Sequence, residues 1–159
     1  MNDDFLDMLT ALQNAGAEFL VVGAFAVSAH GAPRATFDMD VLVRPSRENA
    51  GRVIAALRAF GAPLAAHEIT EDDFAEPGNV YQLGLPPRRI DVLTRISGVS
   101  FEEAWAGKFE SSIGALQVPF LGLRELIRNK RASGRQKDLL DLELLKEQGI
   151  DVDAVAEES

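Results

Sequence analysis

The stretch Phe19-Leu20-Val21-Val22-Gly23-Ala24, followed by His30-Gly31-Ala32-Pro33-Arg34-Ala35-Thr36-Phe37-Asp38-Met39-Asp40, decides how this chain reads. An apolar run stopped by glycine makes a short buried strand that feeds a tight turn. Residues 24–30 then read as a short helix, closed by Gly31 and Pro33. Met39-Asp40-Val41-Leu42-Val43 is short, apolar and β-branched, so a second strand begins near Asp38 and ends at Pro45. Side chains at positions i and i+2 of a strand share one face, which sets Asp38 and Asp40 side by side about 6 to 7 Å apart.

Working outward, Phe5, Met8, Leu9 and Leu12 recur at helical spacing behind Asn2 or Asp3 as N-cap, and Gly16 stops the helix. Ser46 caps a helix running to Phe60, with Val53, Ile54, Leu57 and Phe60 as its core stripe and Gly61 as its end. Residues 62–78 lack a clear period and carry several acids, so they read as an irregular surface connection. Residues 80–85 and 89–94 flank Pro86-Pro87 as an antiparallel hairpin, and Asp91 falls inside its second strand. A short helix over 101–105 precedes a small hairpin turning at Gly114. Helices over 121–133 and 136–148 meet at Gly134, and the acidic residues 151–159 read as a solvated or frayed tail. The pattern describes one α+β (α/β) domain over residues 1–150.

Composition narrows the function. At 159 residues, 47% hydrophobic and 26% charged, the chain falls in the range of an ordinary globular domain. The absence of cysteine excludes disulfides, thiolate zinc sites and a cysteine nucleophile. No signal segment or bilayer-length apolar run is present, so no membrane role and a cytoplasmic location are expected. A net charge of -9 disfavours broad coating of nucleic acid, yet residues 122–137 hold Arg124, Arg128, Lys130, Arg131, Arg135 and Lys137 against the single acid Glu125. There is no Gly-x4-Gly-Lys loop, Gly-x-Ser-x-Gly elbow or His-Glu-x-x-His helix.

What remains is the acids. If the strand carrying Asp91 lies beside that of Asp38 and Asp40, three carboxylates converge and repel unless cations neutralise them. Magnesium takes oxygen ligands from a few carboxylates together with phosphate oxygens, so such a cluster implies a nucleotide cosubstrate. Two ions about 3.5 to 4 Å apart would serve an in-line phosphoryl displacement. Gly23 allows backbone to approach phosphate closely, and Arg34, Thr36, Lys130, Arg135 and Lys137 are candidate nucleotide contacts. Asp138 and Asp141 read as salt-bridge partners orienting those cations. The plain alternatives are two solvent-facing acids at a strand start, a simple turn at Gly23, and a solvated basic helix face.

The opening stretch, together with Arg89-Ile90-Asp91-Val92-Leu93 and the later run from Leu126-Ile127-Arg128-Asn129-Lys130 through Gly134-Arg135-Gln136-Lys137-Asp138-Leu139-Leu140-Asp141, resembles the nucleotidyltransferase superfamily related to DNA polymerase beta. It is most similar to the small bacterial branch allied to abortive-infection and toxin-antitoxin nucleotidyltransferases. The resemblance implies a central mixed sheet flanked by helices with a C-terminal helical pair. It further implies catalytic, metal-binding Asp38, Asp40 and Asp91 and a nucleotide turn at Gly23 and Ala24. The reaction implied is transfer of a nucleoside monophosphate from a nucleoside triphosphate, with Mg2+, to an RNA or tRNA end or a protein side chain. A cognate partner protein belongs to the same implication. Where the family usually has Gly or Ser after the first glycine, this chain has Ala24, which offers no side-chain donor. The rival reading is a catalytically degenerate module of the same fold that binds nucleotide or a partner.

Overall fold

The structure is a computed structural model that describes residues 3–32 and 38–158, so Arg34 and Thr36 lie outside the described residues. Helix α1 (Asp3–Asn14) buries Phe5, Met8, Leu9 and Leu12, the stripe expected from their spacing. It leads to β1 (Phe19–Val22), every residue of which is buried, then to α2 (Gly23–Ala29) and β2 (Asp38–Val43). Helix α3 (Arg47–Phe60) starts where Ser46 Oγ accepts the amide of Asn49 and ends at Gly61 in the left-handed conformation.

The strands β3 (Val80–Leu83) and β4 (Arg89–Leu93) form the first hairpin, and β5 (Phe109–Ile113) and β6 (Leu116–Phe120) the second. Between them α5 (Phe101–Gly107) opens on a capping box made by Ser100 and Glu103. All six strands join one sheet in the order β3-β4-β2-β1-β6-β5. It is mixed: β1 runs antiparallel to β2, while β2 pairs parallel with β4 and β1 parallel with β6. A parallel pair needs a long crossover, and α3 with the connection after it supplies the one between β2 and β4.

Helices α6 (Leu123–Ser133) and α7 (Gln136–Glu147) form the expected C-terminal pair, joined through Gly134. Asn49, 1% exposed, ties the start of β1 to the end of β2 by accepting the Glu18 amide and donating to the carbonyls of Glu18 and Arg44. No helix among the described residues is long and apolar enough to cross a membrane.

Two segments differ from the sequence reading. Within 62–78, α4 (Asp72–Ala75) packs on α3 and buries Phe74 completely. Burying such a side chain stabilises the fold by about 1.5 to 3 kcal/mol, which outweighs the polar character of its neighbours. The C-terminal stretch is likewise no frayed tail. Asp151 caps α8 (Val152–Ala156), Val152 is buried, and Arg128 of α6 donates to the Ala156 carbonyl at 2.9 and 3.0 Å. The apolar pair Val152 and Val155, one helical turn apart, anchors what the surrounding acids alone would leave in solvent.

Candidate active site

The register of two strands assembles the site. Because β2 and β4 run parallel, Asp40 stands opposite Asp91 and Asp38 opposite Arg89. Alternation puts these four side chains on the same face of the sheet, while Met39 and Ile90 turn to the other face and are buried. Val22, the last residue of β1, pairs with Asp40 from the other side. The chain then turns through Gly23 at φ 67°, and a Cβ built there would sit 2.5 Å from Asp40 Oδ2. Only glycine allows that approach and that backbone angle together.

Burial pushes the Asp40 carboxyl up from 3.8 to about 6, with adjacent Asp91 adding to the shift and Lys137 opposing it. Asp91 itself is 7% exposed. Arg89 bridges the other two acids: its Nη2 is 2.8 Å from Asp38 Oδ2, and its Nε is 3.1 Å from Asp91 Oδ1. That last contact is misaligned, so Asp91 Oδ1 and Arg89 Nε are both buried without a completed hydrogen bond.

A cleft of about 670 Å³ opens beside this face. Gly23, Ala24, Asp38, Asp40, Lys130, Arg135 and Lys137 all line it, so seven of the residues singled out in the sequence come together. Asp91 lies behind Asp40 rather than on the cleft wall. The far wall is the α6–α7 junction. There Lys130 Nζ is 3.0 Å from both Asp138 Oδ1 and Asp141 Oδ2, and Arg135 Nε is 2.8 Å from Asp138 Oδ2. Burial alone would raise the Asp138 carboxyl, but the Ser133 hydroxyl, Lys130 and Arg135 bring it down to about 2. Lys130 is therefore neutralised by its own acids, whereas Lys137 is exposed and makes no ion pair among the described residues.

His30 is part-buried and makes contacts within the fold. It caps the end of α2, its Nε2 lies 2.9 Å from the Leu121 carbonyl oxygen, and its ring packs on Phe109. Burial holds its pKa below the ordinary value despite that contact and the charge of Glu125.

Sequence reasoning missed Arg89, although its signal was present: Arg89 and Asp91 stand at i and i+2 and so must share a face. It also missed the loop after β4, where Arg95, Ile96 and Ser97 line the cleft and Asn129 holds the Ser97 carbonyl at 3.0 Å.

Among the described residues no group of three or more Asp, Glu or His side chains is arranged to hold a metal ion. The donor set nevertheless suits a hard divalent cation shared with phosphate. Two carboxylates on one face meet the cleft, and Asp40 sits where its own charge is disfavoured.

No protein-family model and no curated protein sequence matches the chain. Solved structures do. The antibiotic-resistance factor ANT(2'')-Ia superposes with a TM-score of 0.59 at 14% identity, over 96% of this chain and 86% of that one. An antigenic nucleotidyltransferase-like protein from Paracoccidioides brasiliensis superposes with a TM-score of 0.51 at 13% identity, over 89% of this chain and 72% of its own. At such identities the likeness carries the architecture, and the chain has the nucleotidyltransferase fold.

Proposed function

We propose that the cleft binds a nucleoside triphosphate with magnesium and moves its nucleoside monophosphate to a hydroxyl acceptor. The observation that carries this reading is Asp40. Its carboxylate is pressed against Gly23 and Asp91 at the cleft wall, with its pKa raised to about 6, an arrangement that bound positive charge relieves. In this reading Asp38 and Asp40 hold the ion that accompanies the triphosphate, and Asp91 completes the acid set for a second. When bound, the cation screens the phosphate oxygens and lowers the pKa of the acceptor hydroxyl.

The chain's own residues do the rest. Lys137 and Arg135 offer exposed cations to the triphosphate. Gly23 leaves room for backbone beside it, and Arg34 and Thr36, which precede β2, are further candidates for phosphate contact. Lys130, tied to Asp138 and Asp141, keeps the α6–α7 wall in place and presents a positive surface without being free to reach. In the transfer the acceptor oxygen bonds to the α-phosphorus as the bond to the β-phosphate bridge breaks. Pyrophosphate leaves, and the hydroxyl proton passes to the acid set.

The acceptor is proposed to be an RNA or tRNA end or a protein side chain, with a cognate partner protein of toxin-antitoxin type as a third component. Because one structural neighbour is an antibiotic-resistance factor, small hydroxylated antibiotics belong among the acceptors tested. A second reading, a degenerate nucleotide-binding module, is favoured by Ala24 and by the guanidinium already seated between Asp38 and Asp91.

The test uses α-labelled nucleoside triphosphates, Mg2+ and pools of RNA, protein and small-molecule acceptors. Transfer of label, with pyrophosphate release, that Asp38→Asn abolishes is the expected result. Nucleotide binding without any release selects the degenerate module, and no nucleotide or metal binding removes both readings.

A further inference from the structure

We propose that Arg89 is a resident counter-ion that competes with divalent metal for Asp38 and Asp91 and holds the nucleotide-free site to a single ion. The inference rests on the transferase reading and deepens it, since it concerns the metal capacity of the same acids.

The argument begins with the register. In the parallel β2–β4 pair, Asp38 faces Arg89 and Asp40 faces Asp91, so four side chains on one sheet face carry three negative charges and one positive. Arg89 reaches the acid opposite it on β2 and the acid two residues along its own strand, at 2.8 Å to Asp38 and 3.1 Å to Asp91. A planar guanidinium carries its donors on separate nitrogens, so Arg89 can face Asp38 through Nη2 and Asp91 through Nε at once. The acid left over is Asp40, which meets the cleft beside Asp38.

Any ion drawing on Asp38 or Asp91 must therefore share their oxygens with a cation already a few Å away. Repulsion between a divalent ion and a unit positive charge at that range, in partly buried surroundings, lowers affinity by tenfold or more. The Arg89 side chain is 32% exposed, so water reaches it and the guanidinium can leave when triphosphate supplies competing oxygens. Nucleotide thus gains a second role at this site: it draws Arg89 away from the acids as it brings its own ion. Arg89 acts here as a positioning residue, through the acids, rather than on the reacting atoms.

The experiment is a Mn2+ titration of the nucleotide-free full-length protein, followed by electron paramagnetic resonance and calorimetry, for wild type, Arg89→Met and Arg89→Lys. Wild type should take one Mn2+ per chain. Arg89→Met should take a second, or bind the first at least tenfold more tightly, and Arg89→Lys should fall between. Should Arg89→Met fail to fold without metal, its recovery by Mn2+ is the expected signature, and the lysine variant carries the affinity comparison. Equal affinity and stoichiometry in wild type and the folded variants, or weaker binding in them, overturns the proposal while leaving the transferase reading intact. Failure of every variant to bind Mn2+, with or without nucleotide, overturns both.

Discussion

Two groups of acids stand on opposite sides of the cleft and differ in how they are neutralised. On the α6–α7 wall, Asp138 and Asp141 enclose Lys130, and Asp138 also takes Arg135 and the Ser133 hydroxyl. On the sheet side, Arg89 bridges Asp38 and Asp91, while Asp40 has no ion pair among the described residues. The carboxyl pKa values move in opposite directions: Asp138 falls to about 2 and Asp40 rises to about 6. One residue type thus serves two ends. Where cations match acids the cluster braces two helices, and where a buried acid such as Asp40 has no cation paired to it among the described residues it is poised to take charge from a ligand.

The largest expected effect comes from breaking the matched cluster. Lys130→Ala leaves Asp138 and Asp141 buried beside a cavity and should destabilise the protein by about 3 to 5 kcal/mol, read from the urea midpoint. A loss below about 1 kcal/mol would show that these acids are solvated and that the contrast between the two clusters is false.

Next is Gly23→Ala. The added Cβ would lie 2.5 Å from Asp40 Oδ2, in a backbone conformation of φ 67°. A cost of about 1 to 3 kcal/mol is expected, together with weakened nucleotide binding as the carboxylate is driven aside. Unchanged nucleotide affinity would separate the turn from the site.

The pH dependence sharpens the same contrast. Asp138, lowered from 3.8, contributes stability that is present above the unfolded value and lost as pH falls through about 2. Asp40, raised from 3.8, contributes stability that is present below the unfolded value and lost as pH rises through about 6. Wild type should therefore lose part of its stability between about pH 4 and 6, a slope that Asp40→Asn removes.

The smallest effect on folding is expected from Lys137→Ala. Its side chain is exposed and without an ion pair among the described residues, so stability should change by less than about 0.5 kcal/mol. Its effect should appear instead as a higher nucleotide KM. A large loss of stability with unchanged KM would remove Lys137 from the proposed triphosphate contacts.

Much of this contrast could be read from the chain before any coordinates. Alternation exposed the shared face of Asp38 and Asp40, and breakers at Pro86-Pro87 and Gly114 marked both hairpins. Asp138 and Asp141 were legible as salt-bridge partners of the basic run, and both pair with Lys130 across the α6–α7 junction. The shared face of Arg89 and Asp91 was legible from their spacing, but the reach of Arg89 to Asp38 depends on β4 pairing parallel to β2 in one register, which no local pattern encodes. Phe74 and Val152 were missed for another reason. Each is an apolar anchor among acids, and only packing against a distant helix shows that it is buried.

The most direct measurement is the melting temperature of wild type and Asp40→Asn at pH 7, each with and without Mg2+ and a nucleoside triphosphate. A carboxyl shifted from 3.8 to about 6 costs folding on the order of 2 to 3 kcal/mol at that pH, and each kcal/mol moves the midpoint by about 2 to 4 °C. Asp40→Asn should therefore melt several degrees above wild type without ligand and should lose the rise that Mg2+ and nucleotide give to wild type. A variant that melts below wild type, or keeps the full ligand-induced rise, would contradict the claim that Asp40 is held short of positive charge for a nucleotide-borne cation.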